Sequence, residues 1–450
     1  MKAVRYVARF FAMGAVMLWF LLRYLVGRMG TLRHPRGTSR DKAVARLRGR
    51  LMRQMFSTLG ATFVKLGQVM STRPDLFPPE TIDELRQLQD RLPPFPGARS
   101  RRTIEEDLGQ PVDQVFSEFD DVPVAAASVA QVHRARLKSG EEVAVKVLRP
   151  DVRRKVQRDA VILNVFARML AWHPRLRLSD PVGHIAEFEH GIIEQTDLQN
   201  EVHNYQRFAR DFAGFPGVRF PRVHEQLCGQ RVMTMEFVRG TKLDALPAGG
   251  DHRELAHRLE QVMFKMCFEN GFLHADLHPG NMVVAEGDGA LVIFDVGLVK
   301  DLSGDIFAQF VDFSRCLAMG GAHDFRMHLQ RFHKYIGDVD WEGMERDINA
   351  FLTAVRAKNT GQLEIGGMFN ELYALARRYQ VRPMPEVVLV MVGIVTSEGI
   401  GKQLNPQGNL FQALTTFLMP LIIKKGLMPG AAPPAATPGV PGSASAPQAV

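Results

Sequence analysis

The chain has 450 residues, 46% of them hydrophobic, and a formal net charge of +8. That is enough apolar material for a large core, most simply a two-lobed body with extensions. Three scattered cysteines (Cys228, Cys267, Cys316) lack metal spacing and exclude a disulfide framework, so the compartment is reducing. Positive charge is concentrated at one end: residues 1–53 hold 13 Lys/Arg and one acid, Asp41, against 43 basic and 47 acidic residues in the remainder.

The N-terminus opens with Lys2, Arg5 and Arg9, then runs apolar over residues 10–22 before Arg23 interrupts. Thirteen apolar residues are short for a span of about 20. No small-residue cleavage site follows, so the pattern predicts a membrane-surface or re-entrant anchor rather than a signal peptide. The basic stretch 28–53 adds attraction to anionic lipid, on the order of 1 kcal/mol per residue at the surface. It carries no interleaved aromatic residues for stacking on bases, so no nucleic-acid partner is expected.

Residues 51–71 show apolar positions every three or four residues, which predicts one amphipathic helix. Ser57, Gly60, Val64, Gly67 and Ser71 share a second, small face, beside which Lys65 and Gln68 project. Composition alone reads those two as a solvated side. Helices are predicted over 80–91 and 101–108, strands over 124–137 and 142–148, and helices over 151–172 and 184–209. A strand over 231–238 follows, and helices dominate from 253 onward. Strands gather early and helices late, as in a small sheet-bearing lobe over a larger helical one. Residues 428–450 are rich in Pro, Ala, Gly and Ser and read as a disordered tail.

Two segments carry chemistry. In Val143-Ala-Val-Lys146 a lysine stands between apolar neighbours on a strand, a costly place unless it meets an anion. Further on comes His274-Ala-Asp276-Leu-His278-Pro-Gly-Asn281, then Phe294-Asp295-Val-Gly297. Asp276 has the place of a base that orients a hydroxyl or water. Asn281 and Asp295 supply hard oxygens for Mg²⁺, delivered by a hairpin turning at Gly287-Asp288-Gly289. Phosphoryl transfer from ATP needs this kind of positioning and little covalent chemistry. The turn before Lys146, Ala125-Ala126-Ala127-Ser128, has alanines where a phosphate-covering loop usually has glycines, which predicts a stiffer loop. A carboxylate partner for Lys146 is expected from Glu194, Asp197 or Glu201, the last two on one helix face.

Together these segments resemble the UbiB/AarF family of atypical protein-kinase-like enzymes. Lys65-Leu-Gly-Gln68 matches its signature helix. Residues 71–80, 125–133, 143–150, 274–281 and 294–297 match in the family's order, within about 50–420. The resemblance implies an α+β, protein-kinase-like two-lobed fold with an added N-terminal helical extension. It implies Mg-ATP as cofactor, with Ala125, Ala126, Ala127, Ser128, Lys146, Glu201, Glu236 and Val238 around the nucleotide and Glu201 as the ion-pair partner of Lys146. Lys146 and Asp276 would be catalytic, Asn281 and Asp295 metal ligands, and the Lys65/Gln68 helix a cover over the site. A membrane-stimulated ATPase serving isoprenoid quinone (ubiquinone) synthesis is the implied output, with anionic lipid and quinone-pathway enzymes as partners at the cytoplasmic face of the cell membrane. A pseudokinase scaffold and a small-molecule kinase are the alternatives. The expected divisions are 1–50 (basic membrane segment), 51–110 (helical extension), 111–240 (N-lobe), 241–427 (C-lobe) and 428–450 (tail). Departures from the family pattern are Gln195-Thr-Asp197 for its Glu-x-Asp, with Glu194 one position early, and Val296 for its aromatic residue. The apolar run 410–423, broken by Pro420, is too short to replace a pair of C-terminal membrane helices.

Overall fold

A computed structural model of the chain describes residues 2–31, 37–74, 76–88, 93–172, 181–247, 250–302, 306–335, 338–357 and 364–424. The 428–450 tail and Asp75 of the matched 71–80 segment lie outside them.

Helix α1 (Lys2–Gly30) is longer than the uninterrupted apolar run because Arg23 does not break it. The Arg23 guanidinium stacks on Trp19 at 4.8 Å and donates to Gln54 Oε1 at 3.2 Å. Tyr6–Gly30 is therefore long and apolar enough to cross a membrane, by length and composition, which corrects the expectation of a segment too short to do so. One face, with Met13 and Phe20, is buried against the protein; Phe11, Leu18, Leu22, Leu25 and Val26 are exposed.

The helix expected over 51–71 is two. α2 (Thr38–Leu59) and α3 (Ala61–Ser71) meet at Gly60, whose φ of +101° and extended ψ lie in a region nearly closed to residues with a Cβ. Gly60 N–H caps α2 on Phe56 O, and Gly60 O accepts from Phe63 and Val64, so both helix ends are satisfied by one residue. A Cβ at Gly67 would overlap Phe56 and Leu88, so the small face predicted there is a close packing face. α4 (Pro79–Leu85) is shorter than the expected 80–91 helix, and residues 89–92 are not among those described.

The N-lobe sheet follows α5 (Gly97–Leu108) and the short α6 (Val112–Val115). It is built from β1 (Phe116–Phe119), β2 (Ala125–Ala126), β3 (Ala130–Leu137), β4 (Glu142–Leu148) and, later in the chain, Val232–Glu236, with β3 pairing β1, β2 and β4. The strand expected over 124–137 is thus a tight hairpin, β2 to β3. Along β4 the period of two separates two faces. Val143, Val145 and Val147 are buried with Ile104 of α5. Ala144 and Leu148 are buried in the main core, with Lys146 between them on that face. α5 is fastened by a buried polar cluster: Ser100 Oγ lies 2.8 Å from His133 Nε2, and Gln131 Nε2 donates to Ser100 Oγ at 2.9 Å.

α7 (Val152–Ala171) is followed by α8 (Pro181–Glu194) and α9 (Leu198–Asp211), where one helix over 184–209 was expected. Asp197 makes the break: its carboxylate N-caps α9, accepting from Gln199 N at 3.1 Å. β5 (Val218–Arg219), β6 (Val232–Glu236) and β7 (Gly240–Lys242) lead into the C-lobe. α10 (Arg253–Phe264) continues as a π-helical stretch, Lys265–Asn270, before β8 (Phe272–His274). The expected hairpin is present as β9 (Met282–Ala285) paired antiparallel with β10 (Leu291–Ile293). β11 (Val299–Asp301) pairs with β8. Helices complete the lobe: α11 (Ile306–Ala318), α12 (Ala322–Phe332), α13 (Trp341–Arg356), α14 (Ile365–Arg378), α15 (Pro385–Leu404) and α16 (Leu410–Lys424). α15 also has the length to span, but half of it is buried, where it packs along α10.

Candidate active site

Lys146 projects from the middle of β4 towards the first turn of α9. Its Nζ lies 2.7 and 2.8 Å from the Glu201 oxygens and 3.1 Å from Asp295 Oδ1. Of the three carboxylates weighed from sequence, Glu201 is the partner. Asp197 is spent on the helix cap, and Glu194 is at His190. Burial alone would lower the Lys146 pKa, but the Asp295 and Glu201 carboxylates outweigh it and hold the ammonium protonated. Lys146, with Lys65 as a second cation, holds Asp295 well below the usual carboxylate range.

α9 does more than supply Glu201. One turn on, Asn204 Nδ2 donates to Val296 O at 2.8 Å, and the buried Tyr205 hydroxyl accepts from Asp295 N at 3.0 Å. These two hold a backbone that Asp295 places at a φ of +54°, a left-handed value tolerated by Asp more than by most residues. Neither was singled out from sequence, although their i+3 and i+4 spacing from Glu201 puts them on its face. Val296 is fully buried in the main core, so an aliphatic side chain fills the place of the family's aromatic one.

The second half of the site is knit through the backbone. Phe294 N donates to Asn281 O at 2.8 Å, and Asn281 Nδ2 to Asp276 O at 3.3 Å. His274 is buried and its pKa lowered by that burial. Neutral, it accepts from Asp276 N at 3.2 Å through Nδ1 and donates to Phe294 O at 3.1 Å through Nε2. Asp276, Asn281 and Asp295 are thereby brought together, as the motif spacing predicts.

These residues fit Mg²⁺. With Asn281 Nδ2 held by Asp276 O, the amide oxygen is left as a hard donor beside the Asp295 carboxylate. Among the described residues no three His, Cys, Asp or Glu side chains form an all-protein metal cage. One carboxylate and one amide suit an ion that keeps phosphate and water as its other ligands.

The cover comes from α3. Lys65, expected on a solvated side, is buried, with Nζ 3.4 Å from Asp276 Oδ2. Gln68 Nε2 reaches Leu88 O at 3.4 Å. Arg377 of α14 binds the Pro74 carbonyl, tying the chain after α3 to the C-lobe.

The alanine segment is a closed hairpin rather than an open loop. Ala125 and Ala126 pair with Val132 and Gln131, and Ala127 N donates to Ala130 O at 2.8 Å. Ala127 O accepts from Arg149 Nε at 2.8 Å, and Ser128 is buried. At the other edge, the Glu236 carboxylate accepts from Arg219 at 2.9 Å and its N–H donates to Arg222 O at 2.8 Å. Val238 lies in the extended link between β6 and β7.

Comparison with known proteins agrees with this architecture. Residues 87–318 match the ABC1 atypical kinase-like domain and residues 348–409 the UbiB helical domain. A protein of Pseudomonas fluorescens (strain SBW25) named "Probable protein kinase UbiB" is 35% identical over 386 residues, 82% of this chain and 71% of the relative. One of the same name from Aeromonas salmonicida (strain A449) is 34% identical over 387 residues, 82% of this chain and 70% of the relative. The solved Mycobacterium tuberculosis protein Rv3197, in complex with erythromycin, has the same fold, at a TM-score of 0.53 and 20% identity over 84% of this chain and 98% of its own. The chain belongs to the UbiB family of ABC1 atypical kinase-like proteins.

Proposed function

We propose that the protein is a membrane-associated, Mg-ATP-dependent ATPase or atypical kinase that supports isoprenoid quinone synthesis at the cytoplasmic face of the cell membrane. The observation that carries this reading is the Lys146–Glu201–Asp295 cluster, with Asp276 and Asn281 beside it. In it, residues 51–110 are the covering extension, 111–240 and 241–427 the two lobes, and 1–50 the membrane segment. The quinone pathway is suggested by the family alone.

Lys146 exchanges its contact with Asp295 for the nucleotide phosphates while Glu201 keeps its ammonium in place. Asp295 and Asn281 would hold Mg²⁺, whose charge offsets that of the phosphates. Asp276 orients the attacking hydroxyl or water and accepts its proton at a carboxylate oxygen. Lys65 stands over that carboxylate, so a protein side chain has poor access and water or a small acceptor is favoured. The exposed apolar face of α1 and the arginines around it give an anionic bilayer both hydrocarbon contact and charge.

A nucleotide-binding scaffold without turnover is the second reading. It is favoured by the two lysines that already occupy the base, Asp276, and the metal ligand, Asp295. Mg-dependent ATP hydrolysis, measured with and without phosphatidylglycerol vesicles beside Asp295→Asn, separates the two. Turnover that rises with vesicles and is lost in the variant supports the enzyme. Binding of ATP with no variant-sensitive turnover supports the scaffold.

A further inference from the structure

The apolar helix α1 packs along α2, where Arg23 donates to Gln54, and is tied nearer its start by Arg9, which makes three bonds. Arg9 Nε donates to Asp159 Oδ1 at 3.1 Å and Nη2 to Asp159 Oδ2 at 3.0 Å. Nη2 also donates to the Leu59 carbonyl at 2.8 Å. Asp159, on α7, is only 4% exposed, so its charge depends on these partners and on Arg158, 3.0 Å from Oδ1. Around the fork, Phe10 stacks on Phe166 of α7 at 5.0 Å, and Met13 is buried in the same core as Phe56, Leu59 and Phe63.

The position of the third acceptor matters most. Leu59 is the last residue of α2, and the next residue, Gly60, is the pivot from which α3 departs. Lys65 lies five residues beyond it, less than two helical turns. One guanidinium therefore joins α1, α7 and the hinge of the covering helix. At the far end of that helix segment, the Lys65–Asp276 contact is 3.4 Å, long for a charge-assisted bond. A shift of about 1 Å at the pivot is enough to break it.

We propose that Arg9 is a positioning residue that couples α1 to the covering helix, so that a bilayer taking hold of α1 alters the contact between Lys65 and Asp276. The inference rests on the membrane reading above and gives it a route to the active site. The bilayer takes the exposed face of α1, while the opposite face stays on the protein through Arg9, Phe10 and Met13 near its start and Phe20 and Arg23 further on. Any tilt or draw on the helix is then passed to the Leu59 carbonyl and to Asp159. Lysine cannot replace the arginine in this role, because it lacks the planar fork that meets two acceptors at once.

Amide hydrogen exchange across residues 61–71 of the full chain tests this, with residues 232–236 as a control for the fold. Arg9→Lys keeps the charge that attracts anionic lipid and removes the fork; Asp159→Asn removes the partner and leaves the Leu59 arm. Without lipid, both variants are expected to exchange about tenfold faster over 61–71 and unchanged over 232–236. With phosphatidylglycerol vesicles, the wild type changes its exchange over 61–71 and Arg9→Lys, though it sediments equally, does not. Wild-type exchange over 61–71 in both variants overturns the clamp whatever the lipid result. A wild type that sediments with vesicles yet shows no change over 61–71 overturns the coupling and leaves membrane association standing. Failure of the wild type to sediment removes the membrane reading and the bilayer's part in the coupling, while the lipid-free comparison still judges the clamp.

Discussion

The two lysines of the site are held in different ways. Lys146 projects from a central strand and makes three bonds of 2.7–3.1 Å to two carboxylates, one of them the buried Glu201 in the first turn of α9. Lys65, itself buried, reaches Asp276 across 3.4 Å, from a helix that belongs to neither lobe's sheet and starts at the Gly60 pivot. The first arrangement is made of several short bonds; the second is a longer contact, made from a helix whose Phe63, Val64 and Leu66 lie in the main core. Lys146 is thus held tightly on the side proposed for the nucleotide, and Lys65 more loosely on the side proposed for the acceptor.

The strongest way to break the contrast is Lys146→Met. It leaves the buried Glu201 without its cation, which should cost about 3–5 kcal/mol in unfolding free energy by denaturant titration. An effect below about 1 kcal/mol would deny that the cluster is a fixed part of the fold. Next comes Tyr205→Phe, which leaves the Asp295 N–H without its acceptor. The expected loss is about 1–3 kcal/mol, with weaker Mg-ATP binding, and an unchanged Kd would free Asp295 from its dependence on α9.

Acid pH sharpens the same point. The Asp295 pKa is depressed in the folded protein, so its stabilising contribution is present above the ordinary aspartate value, about 4, and is lost as pH falls through the lower folded value. Asp295→Asn should therefore lose part of the acid-side fall in Tm below pH ~4. Superimposable Tm–pH curves would remove the charge pairing from the account. The smallest effect is expected from Ala126→Gly: loosening the hairpin changes ATP or ADP affinity by a few-fold, in line with about 0.5–1 kcal/mol of backbone freedom. Identical affinities for both nucleotides would count against a role for hairpin stiffness.

Much of the nucleotide side was legible in sequence because its parts obey short-range rules. β4 shows a period of two around Lys146, and the β9–β10 hairpin has its turn glycines. Residue chemistry alone left Glu194, Asp197 and Glu201 open, because an aspartate can sit on a helix face or cap the helix; the family resemblance pointed to Glu201, and the break at 195–197 shows why Asp197 is not the partner. Gly60 hid in a similar way: the apolar spacing of 51–71 runs through it unbroken, and a positive φ leaves no mark on that pattern. Lys65 is the plainest case. Its burial depends on Asp276, 211 residues away, and nothing local to α3 distinguishes it from a solvated lysine. The length of α1 was understated because an arginine that can stack on Trp19 and reach Gln54 does not end an apolar helix.

The contrast between the tightly held Lys146 and the more loosely held Lys65 is tested most directly by measuring Mg-ATP affinity and ATP turnover on one preparation of Lys65→Met beside the wild type. Removing the cation from Asp276 should leave Kd within about threefold and raise basal turnover about tenfold, since roughly 1.4 kcal/mol of charge pairing no longer holds the base. A Kd weakened by tenfold or more, or a turnover that falls, would mean that Lys65 belongs to the nucleotide machinery, and the division of the site into two sides would not stand.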